Sequence, residues 1–231
     1  MLNFFKLLTK NKRPPELDGA ISDGELPAPK PKELRLSERL FGTNAPLIHS
    51  DDRSLVGSVL KPDLEHGPWI AGGAALRWYQ SQPVQRHDID IFFRYPEQLK
   101  QHQKVICDEL NGVEVFNSDH AVTYRVWHES FEYKIQLIKK YFNTLQDCLD
   151  QFDVTVCTIA TDGRTWVKGP HFDRDFEARA LVLQNGLKTD CIKRVVKYMI
   201  YGYEPSSELL DAIYSDSSLE LRFNDDDEYR M

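Results

Sequence analysis

Long hydrophobic runs are missing from this chain. No stretch approaches the roughly 18 consecutive apolar residues of a membrane-spanning helix. The opening "MLNFFKLLTKNKR" has a short apolar stretch broken by a lysine and no small-residue cleavage site, so it reads as neither signal peptide nor membrane anchor. Cysteine is scarce: Cys107, Cys148, Cys157 and Cys191, with no CxxC spacing. Three of them fall in segments that read as helix or strand interiors, where a free thiol acts as a small hydrophobe. That usage points to a reducing, cytoplasmic compartment. No Walker A, GxGxxG or zinc-deaminase pattern occurs. The histidines His49, His66, His102, His120, His128 and His171 have no metal-ligand spacing.

An excess of positive charge is missing too. The formal net charge is −7, and residues 204–231 carry nine acidic and two basic side chains. The rest of the chain holds 27 of each sign. A neutral body argues against a long nucleic-acid track, which would need a basic stripe. The run Asp225–Glu228 reads as a solvated terminal tail rather than a metal site.

What is present falls into four parts. Residues 1–35 form a proline-rich arm, with five of the twelve prolines between residues 11 and 34 and few large apolar side chains. Such a segment buries too little surface to offset its ordering entropy. Residues 36–170 read as a mixed α/β core, 171–215 as a C-terminal helical part, and 216–231 as an acidic tail. Within the core, "PWIAGG" reads as a strand ending in a glycine turn, and "AALRWYQ" as a helix start. "DIDIFFR" is a strand with period-two alternation. "YPEQLKQHQKVICDELN" is an amphipathic helix with Pro96 in its first turn. "NTLQDCLDQ" is a short helix with Asn143 as its expected N-cap. "FDVTVCTIAT" is read as another strand. Further on, "DFEARALVLQN", "TDCIKRVVKYMIYGY" and "PSSELLDAIYSD" are read as helices, the second capped by Thr189 or Asp190 and ended by Gly202. The four tryptophans, Trp69, Trp78, Trp127 and Trp166, are expected in the core or at packing surfaces.

Chemistry concentrates at three aspartates. Asp88 and Asp90 lie on one face of the "DIDIFF" strand, while Ile89, Ile91 and Phe93 take the other. Asp153 opens a later apolar segment. Carboxylates that converge repel one another unless a cation cancels the charge, and hard cations such as Mg²⁺ take oxygen ligands. A wet strand edge would explain Asp-Ile-Asp alone. Upstream, however, Gly72 and Gly73 stand between a strand and a helix start, where backbone N–H groups can approach an anion closely.

The order "IAGG", fourteen residues, then "DIDIFF" resembles the signature of nucleotidyltransferases of the DNA polymerase beta-like superfamily, in particular small bacterial and phage members. "QFDVTVCTIATDG" and "KRVVKYMIYGYE" are similar to their later segments, so the resemblance spans about residues 65–203. It implies an α+β fold: a mixed polymerase beta-like sheet with flanking helices and a C-terminal helical extension. It implies that an NTP binds with its triphosphate on Gly72 and Gly73. Asp88, Asp90 and Asp153 would be the catalytic carboxylates, holding two Mg²⁺ (or Mn²⁺) ions. An NMP would pass to an acceptor hydroxyl with release of pyrophosphate. Arg77, Lys193 and Lys197 would help bind the phosphates, and Tyr201 would stack on the base; a solvated helix face is the alternative for the helix residues. His87 reads as a strand-end histidine with a local hydrogen bond. The acceptor is open among an RNA end, a nucleotide, a small molecule and a protein. The competing reading is a non-catalytic binding or assembly module on the same fold, such as a phage or antitoxin-type partner protein, docking through the arm or the acidic tail. A nuclease or phosphatase fits the glycine pair less well.

Overall fold

In the computed structural model the described residues are 48, 50–85, 87–186 and 191–215. The N-terminal arm, the acidic tail and the Thr189 or Asp190 helix cap lie outside them.

The first described helix, α1 (Ser50–Ser54), runs on into a π-helical stretch over Leu55–Leu60. Strand β1 (Trp69–Ala71) leads through the glycine turn to α2 (Gly73–Tyr79). Strand β2 (Asp88–Phe93) follows, then α3 (Pro96–Leu110), with Pro96 in the first turn, where its missing N–H costs nothing. Strands β3 (Val113–Asn117), β4 (Ala121–His128) and β5 (Phe131–Tyr141) form an antiparallel meander. Helix α4 (Leu145–Leu149) begins at Thr144, not at Asn143. Thr144 and Asp147 form a reciprocal capping box, which satisfies two orphan N–H groups where Asn143 could serve only one.

The segment read as one strand from Phe152 splits. Asp153 stands in a bend, Thr155–Cys157 make one 3₁₀ turn, and only β6 (Ile159–Thr161) extends. The Thr158 hydroxyl donates to the Thr155 carbonyl and the Gly169 N–H to the Thr158 carbonyl, competing with a continuous ladder. Strand β7 (Trp166–Lys168) pairs with β6. The C-terminal part is not purely helical. Helix α5 (Phe172–Glu177) stops early, and β8 (Ala180–Leu181) pairs in parallel with β9 (Glu204–Pro205) on either side of α6 (Cys191–Ile200). Gly202 ends α6 at φ +84°. Helix α7 (Ser207–Ser215) follows.

The fold class is α+β. Seven strands stand in the order β3-β4-β5-β2-β1-β6-β7, all antiparallel neighbours except the parallel pair β2 and β5. The alternation of β2 divides the sheet's two faces. Ile89, Ile91 and Phe93 are fully buried in the main core with Val122, Val126, Ile135, Leu137 and the α3 residues Leu99, Ile106 and Leu110. Asp88, Asp90 and Phe92 take the opposite face. There a smaller cluster of Trp69, Phe142, Leu145 and Leu149 packs around Phe92, closing that face beyond the aspartates.

Candidate active site

The glycine turn has two residues with different reasons to be glycine. Gly72 sits at φ +76° and ψ −133°, a region closed to residues with a Cβ. An added Cβ would also lie 2.6 Å from the Phe152 ring. Gly72 therefore fixes the turn and its packing, and its N–H is taken by the Ile159 carbonyl. Gly73 is different: a Cβ there would meet only the Tyr198 hydroxyl, at an ordinary 3.7 Å.

Helix α6 reaches the turn through Tyr198, whose hydroxyl accepts a hydrogen bond from the Cys157 thiol at 3.0 Å. Burial holds that thiol up at about 12, so it stays protonated. Tyr201 follows at the end of α6, with the Arg77 guanidinium 5.8 Å from its ring centroid. Arg77 is itself anchored by its Nε donating to the Pro83 carbonyl.

Gly73, Arg77, Asp88, Asp90, Lys197 and Tyr201 line one cleft. Asp88 is exposed at the strand start. Asp90 is half-buried, and its Oδ1 is fully buried with no hydrogen-bond donor. Burial, and then the neighbouring Asp88 carboxylate, pushes Asp90 up to about 7, while Lys197 and Arg194 pull the other way. His87, also at the cleft, is pushed down to about 4 by burial and by the nearby charges of Arg77 and Lys197. It is therefore a neutral imidazole at neutral pH.

Asp153 has another partner. It is fully buried, and its Oδ2 accepts from Arg194 of α6, while Oδ1 has no donor. It does not line the cleft with Asp88 and Asp90. Among the described residues no group of three His, Cys, Asp or Glu is placed to hold a metal ion. Two carboxylates do share the cleft, and the orphaned Asp90 oxygen is a hard donor of the type Mg²⁺ accepts. Lys193, one turn before Lys197, is exposed and outside the cleft lining.

Sequence reasoning missed Arg194. Its signal was present: with Cys191, Val195 and Tyr198 it falls on the buried stripe of α6, an unusual place for an arginine without a partner. It also missed Asp52, a buried carboxylate that accepts from Trp78 Nε1 at 2.7 Å, the Tyr133 hydroxyl at 3.0 Å and the Val84 N–H at 3.1 Å. A larger cavity of about 610 Å³ lies elsewhere, edged by Asp150, His171 and Arg174. Arg174 is there held by Asp175 through two bonds, and no carboxylate pair faces that space.

The fold and site together define an α+β protein with a paired-carboxylate cleft under a cationic helix. Residues 49–179, more than half of the chain, match the Gabija anti-defense 2 family, and the chain belongs to that family. No curated protein matches. Among solved structures, the Thermotoga maritima CCA-adding enzyme complexed with tRNA is similar at 13% identity and a TM-score of 0.47, over 63% of this chain and 36% of that one. A CCA-adding enzyme with CTP is similar at 13% identity and a TM-score of 0.48, over 63% of this chain and 37% of that one. A tRNA-processing enzyme with CTP is similar at 13% identity and a TM-score of 0.46, over 63% and 41%. The chain thus spans about two fifths of the length of these structures.

Proposed function

We propose that this protein is a metal-dependent nucleotidyltransferase that moves an NMP from an NTP to an acceptor hydroxyl. The observation that carries the reading is the Asp90 carboxylate. One of its oxygens is buried beside a second carboxylate and lacks any donor, and Arg77 and Lys197 stand around the same cleft. A buried carboxylate oxygen without a donor is costly, and a cation is the partner that would stabilise it.

In this reading Asp88 and Asp90 hold Mg²⁺ or Mn²⁺. The ion, when bound, neutralises the two carboxylates and draws charge from the phosphates. Arg77 and Lys197 bind phosphate oxygens, and the open side of Gly73 lets the phosphates approach the backbone. Tyr201 offers a ring face to the base. The acceptor oxygen bonds to the α-phosphorus, the bond from that phosphorus to the leaving oxygen breaks, pyrophosphate departs, and the hydroxyl proton passes to solvent. Asp153, whose Oδ1 also lacks a donor, would hold a second ion together with Asp88 and Asp90 once Arg194 releases its Oδ2. Lys193 contributes charge at longer range. The family's description supports reading the activity as one directed against the Gabija defence.

Thermal unfolding with Mg²⁺ or Mn²⁺ and each NTP in turn tests the reading. Binding at about 100 times Kd adds roughly 2.7 kcal/mol, a shift of several degrees. The shift is expected in the wild type and absent in Asp88→Asn/Asp90→Asn. No stabilisation by any NTP would leave a non-catalytic binding module as the better account.

A further inference from the structure

The sheet face that carries the aspartates does not end at the cleft. Residues paired across neighbouring strands share a face, so the strand registers can be followed outward. One rung runs Asp88, Lys134, Arg125, Val113. The next runs Asp90, Gln136, Thr123, Phe116. Trp127, paired with Glu132, lies two residues beyond Arg125 on the same face. At a strand spacing of about 4.8 Å, Arg125 is about 10 Å from Asp88 and Phe116 about 14 Å from Asp90.

The outer half of this face is uncovered among the described residues. Trp127 is 64% exposed, Val113 63% and Phe116 58%. Trp127 thus departs from the sequence expectation. Trp69, Trp78 and Trp166 are buried in the core, whereas Trp127 points away from it. Exposed apolar and aromatic side chains gathered on one face mark an interaction surface.

Two observations choose the occupant. The face bears Arg125 and Lys134 against Asp88, Asp90 and Glu132, and Arg125 lies 3.6 Å from Glu132. Glu114 and Asp119 stand exposed along the outer edge. A nucleic-acid strand needs a net cationic track, and this face has none. The edge strand β3 is broken by a bulge between Glu114 and Phe116, which disfavours edge-to-edge pairing with a second copy. A protein surface with apolar side chains fits both facts.

We propose that the β3-β4-β5 face, centred on Trp127 and Phe116, docks a protein that presents its own hydroxyl side chain to the Asp88–Asp90 cleft as acceptor. This rests on the nucleotidyl-transfer reading. The protein hydroxyl oxygen bonds to the α-phosphorus of the NTP, pyrophosphate leaves, and the proton goes to solvent, giving a nucleotidylated protein.

The test uses the full chain, Mg²⁺, NTPs labelled at the α-phosphate, purified Gabija proteins and, separately, total cell RNA. Label should enter a Gabija protein, resist ribonuclease and be lost to protease. Trp127→Ala/Phe116→Ala should slow labelling about 30-fold or more, the loss of a pair of central anchors. It should leave stabilisation by Mg²⁺ and NTP at the wild-type level. Docking has its own readout: among the four tryptophans only Trp127 is exposed, so acrylamide quenching should fall when Gabija proteins bind, in Asp88→Asn/Asp90→Asn as well. Label in RNA, no label in protein, or labelling indifferent to the double variant would each overturn the inference. So would a wild-type dimer in sedimentation that the double variant dissociates. Failure of Mg²⁺ and NTP to stabilise the wild type would instead overturn the transfer reading itself.

Discussion

Asp52 and Asp90 are both aspartates with buried carboxylate oxygens, and they have opposite surroundings. The Asp52 carboxylate accepts three hydrogen bonds, from Trp78, Tyr133 and Val84, and so ties α1 to α2, to β5 and to the loop before β2. The Asp90 Oδ1 accepts none, and the Asp88 carboxylate is a like-charged neighbour. Asp153 lies between these cases, with one oxygen on Arg194 and the other unpartnered. A carboxylate built for structure is saturated with donors. One built to take a ligand is left unsatisfied, and the fold bears the cost.

This contrast can be broken most severely at Asp52. Asp52→Ala strands three buried donors, and a loss of about 3 kcal/mol or more is expected in urea unfolding. Next comes the intermediate case. Arg194→Ala leaves the Asp153 charge buried and unpaired, with an expected loss of about 3 kcal/mol; adding Asp153→Asn should recover part of it. A double-mutant cycle measures the difference.

The glycine pair gives a smaller and more selective effect. Gly72→Ala must adopt φ +76° and push Phe152 aside, for about 2 kcal/mol of destabilisation. Gly73→Ala should leave the unfolding midpoint nearly unchanged. If the phosphates approach at Gly73, it should nevertheless reduce stabilisation by Mg²⁺ and NTP. Equal losses of stability in both variants would show that Gly73 is a packing glycine as well.

One stability effect has the opposite sign. The Asp90 carboxyl rises from its ordinary 3.8 to about 7 on folding. The unfolded chain therefore gives up this proton at lower pH than the folded one, and stability falls as pH rises from about 4 to 7. Asp90→Asn removes that penalty. In metal-free buffer at pH 8 it should raise Tm, and the gap should close toward pH 4. A variant that gains stability while losing all response to Mg²⁺ and NTP would show that Asp90 is kept for its ligand.

Much of this was legible in the sequence where local pattern and fold agree. The alternation of "DIDIFF" separated a core face from a polar one, and β2 follows it. The helical spacing of "CIKRVVKYMI" set α6 but not its buried stripe: the apolar Val196 and Ile200, expected on the stripe with Ile192, Val195 and Met199, are exposed, while Cys191, Val195 and Tyr198 are buried. Legibility failed where a distant group decides. Asp153 looked like a strand opener because its apolar followers have strand composition. The structure bends the chain there, clamping the Asp153 carbonyl with the Gln184 N–H and the carboxylate with Arg194. Trp127 looked like core because tryptophan usually is, and only the strand register turns it outward.

The sequence by itself determined a core that mixes helices and strands, the glycine turn, and the two aspartates sharing one face of a strand, because these follow from backbone periodicity and from glycine's lack of a Cβ. Only the tertiary structure decided which charges meet. Packing α6 on the turn brings Lys197 and Tyr201 to Asp88 and Asp90, commits Arg194 to Asp153, and leaves one buried oxygen of Asp90 without a donor. Contacts between residues a hundred positions apart depend on how the elements stack, which no local periodicity encodes.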